Sequence, residues 1–190
     1  MLVGKAKGTL VLRHVLKSEL LLSPSLDLFG HRLPNYFVTR KSSNRDQEIN
    51  AIRSLGIGLD GDACVIFPEG TFYSQRRFAA SLAEIEKTDR ERFLRVKNLR
   101  NVIPVRTGGI LALLNSTPDA DLVVIGHSGF ERFSSFRDIF RNVPFTSPIK
   151  VTLRRIAHTE IPADDKNRVR FLDEQWQGID LWNEEIIQFS

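Results

Sequence analysis

Three apolar runs, Ala63-Cys64-Val65-Ile66, Val102-Ile103-Pro104-Val105 and Leu122-Val123-Val124-Ile125, are each too short for a helix and are separated by polar stretches with helical spacing. Runs of four bounded by turn residues read as strands buried on both faces, and strands alternating with helices favour a parallel sheet with helices packed on it. Leu10-Val11-Leu12 and Tyr36-Phe37-Val38 extend the series, with an amphipathic stretch over residues 15–22 that Pro24 terminates. Helices are predicted over residues 47–55, 76–95 and 110–114. Ile149, Val151 and Leu153 alternate with Lys150, Thr152 and Arg154, the pattern of a half-exposed strand near a sheet edge. The fold class expected is α/β, a single domain over residues 1–190 with a largely parallel central sheet flanked by helices.

The last segment sets Val169, Leu172, Trp176, Ile179, Trp182 and Ile186 three or four apart, one face of a helix. Its tryptophans are expected to pack the helix on the body, with contact to a membrane surface as the other use of such a face. With 42% apolar and 26% charged residues, 190 residues can bury a core and do not read as disordered. Cys64 is the single cysteine, so no intrachain disulfide forms, and a buried thiol in a reducing, cytoplasmic setting is expected.

The net charge of +4 is unevenly placed. Arg76, Arg77, Lys87, Arg90, Arg92, Arg95, Lys97, Arg100 and Arg106 face only Glu84, Glu86, Asp89 and Glu91 in the middle of the chain, whereas the segment from Glu160 onward is acidic. A basic middle suggests an anionic partner, or else a solvated helix face. Phe72, Tyr73, Phe78 and Phe93 form no RNA-binding motif, so no nucleic acid is expected. No apolar stretch has the length to span a bilayer, and no signal peptide is read.

Gly56-Ile57-Gly58-Leu59-Asp60-Gly61 has dinucleotide-site spacing but follows a predicted helix and precedes a strand, the reverse of what a phosphate cradle needs. His14, His31, His127 and His158 are scattered, so no metal site is expected, and Gly126-His127-Ser128-Gly129 has the wrong spacing for a nucleophile elbow. Phe67-Pro68-Glu69-Gly70-Thr71-Phe72 packs a proline, an acid, a glycine and a hydroxyl into one sharp corner after a strand. Such a corner is either an ordinary turn or a place to hold a phosphate or hydroxyl.

Phe67-Pro68-Glu69-Gly70-Thr71 and Val102-Ile103-Pro104-Val105 resemble the F-P-E-G-T and I-P-V blocks of the glycerolipid acyltransferases, the 1-acyl-glycerol-3-phosphate acyltransferase (PlsC-like) group. Phe37-Val38-Thr39-Arg40 is similar to the family's second block, with Lys17-Ser18-Glu19-Leu20 and Pro24 before it. The resemblance covers roughly residues 10–130. It implies transfer of an acyl chain from acyl-CoA or acyl carrier protein to a lysophospholipid, in the family a lysophosphatidic acid, at the cytoplasmic face of an anionic membrane, with no cofactor. It assigns the acceptor to Arg40, Glu69, Gly70 and Thr71. Arg40 would fork onto phosphate, Thr71 and backbone amides would donate at short range, and Glu69 would orient Arg40 or a substrate hydroxyl.

The family's general base lies in an N-H-x-x-x-x-D block, which residues 1–190 do not contain, so no catalytic residue is assigned and an N-terminally truncated domain is expected. His14 and Glu19 share the H-x-x-x-x-acid spacing, but on a helix they would diverge by about 140°. Phe72 replaces an arginine common in the family, with Arg76 or Arg77 as substitutes. The alternative to an enzyme is a non-catalytic lipid- or phosphate-binding module.

Overall fold

The computed structural model describes residues 2–3, 10–18, 32, 35–38, 45–130, 133, 136–146 and 148–188. The chain is a mixed α/β protein that clusters into two compact units, each assembled from three stretches of sequence. The expected single domain over residues 1–190 meets this division.

The first unit takes residues 1–68, 106–123 and 155–161. Its strands are β1 (Leu2–Val3), β2 (Leu12–Lys17), β3 (Tyr36–Val38) and β4 (Ala63–Val65), joined by the first residues of β5 (Asp121–Ser128) and the last of β6 (Lys150–Ile156). The strand order is β3-β2-β4-β1-β5-β6. β2 runs parallel to β3 and to β4, with His14 opposite Val65, while β1 is antiparallel to both β4 and β5. The sheet is therefore parallel in three strands and interrupted by a short reversed one. β2 also overturns some of the local reading: residues 15–17 of the expected amphipathic stretch are strand, because they pair with β3. Residues 19–22 of that stretch lie outside the described residues.

Two helices complete this unit, α1 (Arg45–Gly56) and α4 (Thr107–Ser116). They approach closely because α4 opens on small residues: a Cβ at Gly109 would stand 3.0 Å from Ile66 Cδ1 and 3.3 Å from Ile52 Cδ1. Ile52, Ala63, Cys64, Ile110, Leu113, Leu114 and Leu122 form the core. Cys64 is fully buried, its thiol donates to Leu55 O, and burial raises its pKa.

The second unit takes residues 69–105, 124–154 and 162–190. It holds α2 (Gln75–Thr88), α3 (Arg90–Val96), α5 (Phe136–Arg141) and α6 (Asp165–Gln188). The single helix expected over residues 76–95 is two, because Asp89 leaves the helical region. Its backbone N–H donates to Ile85 O to close α2, and its carboxylate accepts from Arg92 N to open α3. α6 has the length and buried face that its periodicity predicts, with Leu172, Trp176 and Ile179 inside. Among the described residues no helix is long and apolar enough to cross a membrane.

Residues 102–105, expected as a strand, are buried but form none. Side chains take their backbone groups instead. The Ile103 backbone hydrogen-bonds Glu69, and Arg92 Nη2 donates to Val105 O at 2.8 Å. The same arginine donates through Nε and Nη2 to Asp173 at 2.9–3.1 Å, and both partners are buried. An arginine from the basic run is thus an internal strut and not a member of a solvated face. Arg92→Ala strands the Asp173 carboxylate without its fork and is expected to cost ~3–5 kcal/mol. Asp89→Ala, which removes one cap, is expected to cost ~1 kcal/mol, both read from denaturant unfolding.

Candidate functional site

The corner begins where β4 stops. Val65 ends the strand, Phe67 is already 65% exposed, and Pro68 O accepts a hydrogen bond from Arg106 N at 2.8 Å. The strand stops one residue short of the apolar run Ala63–Ile66 because Ile66 makes no ladder. Since β2, β3 and β4 are parallel, their carboxyl ends lie at one edge of the sheet, where α/β folds usually bind ligands. Arg40, two residues beyond β3, lies outside the described residues, as do Thr39, Glu19, Leu20, Pro24 and His31.

From Glu69 the chain belongs to the second unit. Gly70 has φ +67°, the left-handed region in which a side chain is strained, so this position favours glycine and leaves the backbone open to close approach. Thr71 is half-buried. Ser74 then caps α2, accepting from Arg77 N, and Arg77 Nη1 donates to Phe72 O at 3.1 Å, so this arginine braces the corner from the first turn of the helix. Arg76 beside it is exposed. No acid stands in that turn, and the positive end of the α2 dipole is unopposed.

Glu69 is the chemically distinctive member. Trp176 Nε1 donates to its Oε1 at 3.0 Å, and the Ile103 backbone adds a second hydrogen bond. Burial raises its pKa to about 7, outweighing those two hydrogen bonds, and Asp180 pushes in the same upward direction. Because a carboxylate beside a phosphate would repel it, the partner expected for Glu69 is Arg40 or a substrate hydroxyl. The partner found in the described residues is an indole 107 positions away, and Trp176, expected only to pack, also donates. Asp180 holds the neighbouring loop, accepting from Arg100 N at 3.0 Å and Asn101 N at 2.6 Å. Sequence reasoning misses Asp173, Trp176 and Asp180 as a set. The available signal is acids set directly beside the apolar stripe of the last helix.

The other candidates resolve differently. Gly56 ends α1, and Gly58 and Gly61 lie between it and β4, the reversed context expected, with the loop presenting carbonyls rather than amides. Arg13 donates to Leu55 O, Ile57 O and Gly58 O at 3.0, 2.9 and 2.7 Å and pairs with Asp62. A cation already sits where a pyrophosphate would need positive donors. His14 lies on β2, not on a helix, and both its backbone N and Nδ1 face Asn35 Oδ1, at 2.9 and 3.0 Å. An amide oxygen only accepts, so Nδ1 is the donor of that pair.

His158 Nδ1 meets Asp121 Oδ1 at 3.2 Å, a His–Asp pair that the scattered sequence positions conceal. Asp121 opens β5 opposite Val3, which also pairs with Ala63 at the start of β4. The pair therefore lies at the amino ends of the strands, away from the carboxyl ends of β2, β3 and β4. Hydrogen bonds from the His158 backbone and the Arg155 and His158 side chains hold the Asp121 pKa down to about 2. His127 is exposed and stacks edge-on against Phe130. Among the described residues no three His, Cys, Asp or Glu side chains gather as metal ligands.

The Glu69 shift has a definite sign. A carboxyl raised from 4.5 to about 7 binds its proton more tightly in the folded state, so its contribution is complete below pH 4.5 and is lost as pH rises through 7. The full excursion is worth roughly 3 kcal/mol. Asp121 acts oppositely and lower, losing its contribution as pH falls from 3.8 through about 2. Unfolding measured at pH 4.5 and pH 7.5 should therefore show wild type losing stability relative to Glu69→Gln. A constant difference between the two proteins would remove the half-buried carboxyl from the description. The sequence matches no family model and no curated protein, and the fold matches no solved structure.

Proposed function

We propose that the chain is a domain of glycerolipid acyltransferase type that holds a lysophosphatidic acid at the 67–71 corner for acylation from acyl-CoA or acyl carrier protein, working peripherally at the cytoplasmic face of an anionic membrane. The observation that carries the reading is the corner itself: a polar loop after a parallel strand, leading through Ser74 directly into the N-terminus of α2, with a half-buried carboxyl at its start.

The chemistry suits a phosphate-bearing hydroxyl acceptor. Arg76 and the first-turn amides of α2 supply positive potential for the phosphate, and the left-handed Gly70 lets backbone come close. Thr71 supplies a hydroxyl donor. A fully ionised acid beside phosphate would repel it, but a carboxyl titrating about 7 is neutral much of the time and can hydrogen-bond a substrate hydroxyl in either form. Arg40 is assigned by the resemblance alone. Phe72 leaves one family charge unfilled, and because Arg77 braces Phe72 O, Arg76 is the better substitute.

A second reading, a non-catalytic lipid- or phosphate-binding module, is favoured by the lack of an N-H-x-x-x-x-D block in residues 1–190. One experiment separates the two. The chain is given labelled acyl-CoA and lysophosphatidic acid, with acceptor binding followed in parallel. The acyltransferase reading expects labelled phosphatidic acid, with binding weakened about tenfold by Thr71→Ala or Arg76→Ala and more by Arg40→Ala, whose charged fork is stronger. Binding without transfer selects the module. Neither binding nor transfer overturns both.

A further inference from the structure

The sheet of the second unit keeps apolar side chains on its solvent face. A Cβ at Gly126 of β5 would stand 2.9 Å from Thr152 Cγ2 of β6 and 3.2 Å from Ile179 Cγ2 of α6, so Gly126 and Thr152 share the side that α6 covers. Alternation puts Ile125, Val151 and Leu153 on the other side, and all three are exposed, Leu153 by 65%. A sheet face left to water is ordinarily polar.

The apolar surface continues past the end of β5. His127, on the same side as Ile125, is exposed and stacks edge-on against Phe130, which meets Phe145 at 6.2 Å. Phe145 in turn packs on the buried Phe133 at 5.5 Å, so an aromatic cluster ties down the chain that follows α5. Ahead of it Phe140 is 78% and Val143 61% exposed.

Charge identifies what covers this surface. Arg137, Phe140 and Arg141 are three and four apart on α5 and all exposed, so one short helix face reads cation, aromatic, cation. No acid occurs in residues 139–159. Residues 131–155 hold six cations, of which Arg155 pairs with Asp121, and two acids. That segment carries the whole net charge of +4, and the rest of the chain balances at 21 of each sign. A second copy of the chain would bring like charge against like. A bilayer with anionic headgroups complements both features, apolar groups entering at the acyl boundary and arginines meeting phosphates.

We propose that Val151 and Leu153 of β6, with Phe140, Val143 and the flanking Arg137 and Arg141, dock the second unit on an anionic phospholipid membrane. This rests on the membrane location in the function proposed above and supplies the surface for it. Glu69, Gly70 and Thr71 take no part, so docking and acceptor binding fail separately.

The test sediments the 190-residue chain with vesicles of phosphatidylcholine, with and without phosphatidylglycerol. Binding to the anionic vesicles and little to the neutral ones is expected. Phe140→Ser with Val143→Ser should weaken anionic binding at least about tenfold, and so should Arg137→Gln with Arg141→Gln. Both variants change exposed side chains and should keep the wild-type unfolding midpoint and the wild-type affinity for a water-soluble, short-chain lysophosphatidic acid. Absence of vesicle binding, vesicle binding unchanged in both variants, or a lipid-free dimer that Phe140→Ser with Val143→Ser breaks would overturn the proposal. Docking that the variants weaken, in a chain that binds no lysophosphatidic acid, would support this surface and overturn the acceptor corner alone.

Discussion

The second unit depends on one polar row of α6, in which Asp173, Trp176 and Asp180 follow one another at spacings of three and four and reach three different pieces of chain. Asp173 receives the Arg92 fork, Trp176 donates to Glu69, and Asp180 accepts the amides of Arg100 and Asn101. Each contact satisfies a buried charge or an otherwise orphaned backbone group, so none can be lost without leaving a desolvated partner behind. The corner owes its shape to this row. The indole and the Ile103 backbone both hydrogen-bond the half-buried Glu69 carboxyl at the start of that corner.

The same row explains the charge asymmetry of the sequence. Two cations of the basic middle and one acid of the last segment form an internal cluster: Arg92 is buried on Asp173, and Arg95 shares that carboxylate at 3.5 Å while also pairing with the exposed Glu91. The cations left for an anionic partner are fewer than the sequence suggests. Arg76 at the head of α2 is exposed and stands directly after the corner, so it adds positive potential where the phosphate is proposed to sit.

Local patterns are legible where local physics decides them. The α6 periodicity, the β3 and β6 strands and the reversed context of the 56–61 glycines all follow from spacing and turn chemistry. Long-range pairings are not. Glu69 and Trp176 are 107 residues apart, and Arg92 and Asp173 are 81 apart, so no window holds both members. Residues 102–105 look like a strand because burial and apolarity are identical in both cases. What differs is that Arg92 and Glu69, rather than a neighbouring strand, take the backbone groups. The phase of β6 is hidden for a related reason: alternation reveals two faces but not which of them is covered, and here the polar face turns inward.

The central claim is that the corner carries a half-buried carboxyl, hydrogen-bonded by α6, whose pKa burial raises, and carboxyl-labelled glutamate tests it most directly. NMR titration should give Glu69 a midpoint about 7, moving higher in Trp176→Phe because the indole hydrogen bond favours the ionised form. A midpoint near the ordinary 4.5, unmoved by that substitution, would contradict it.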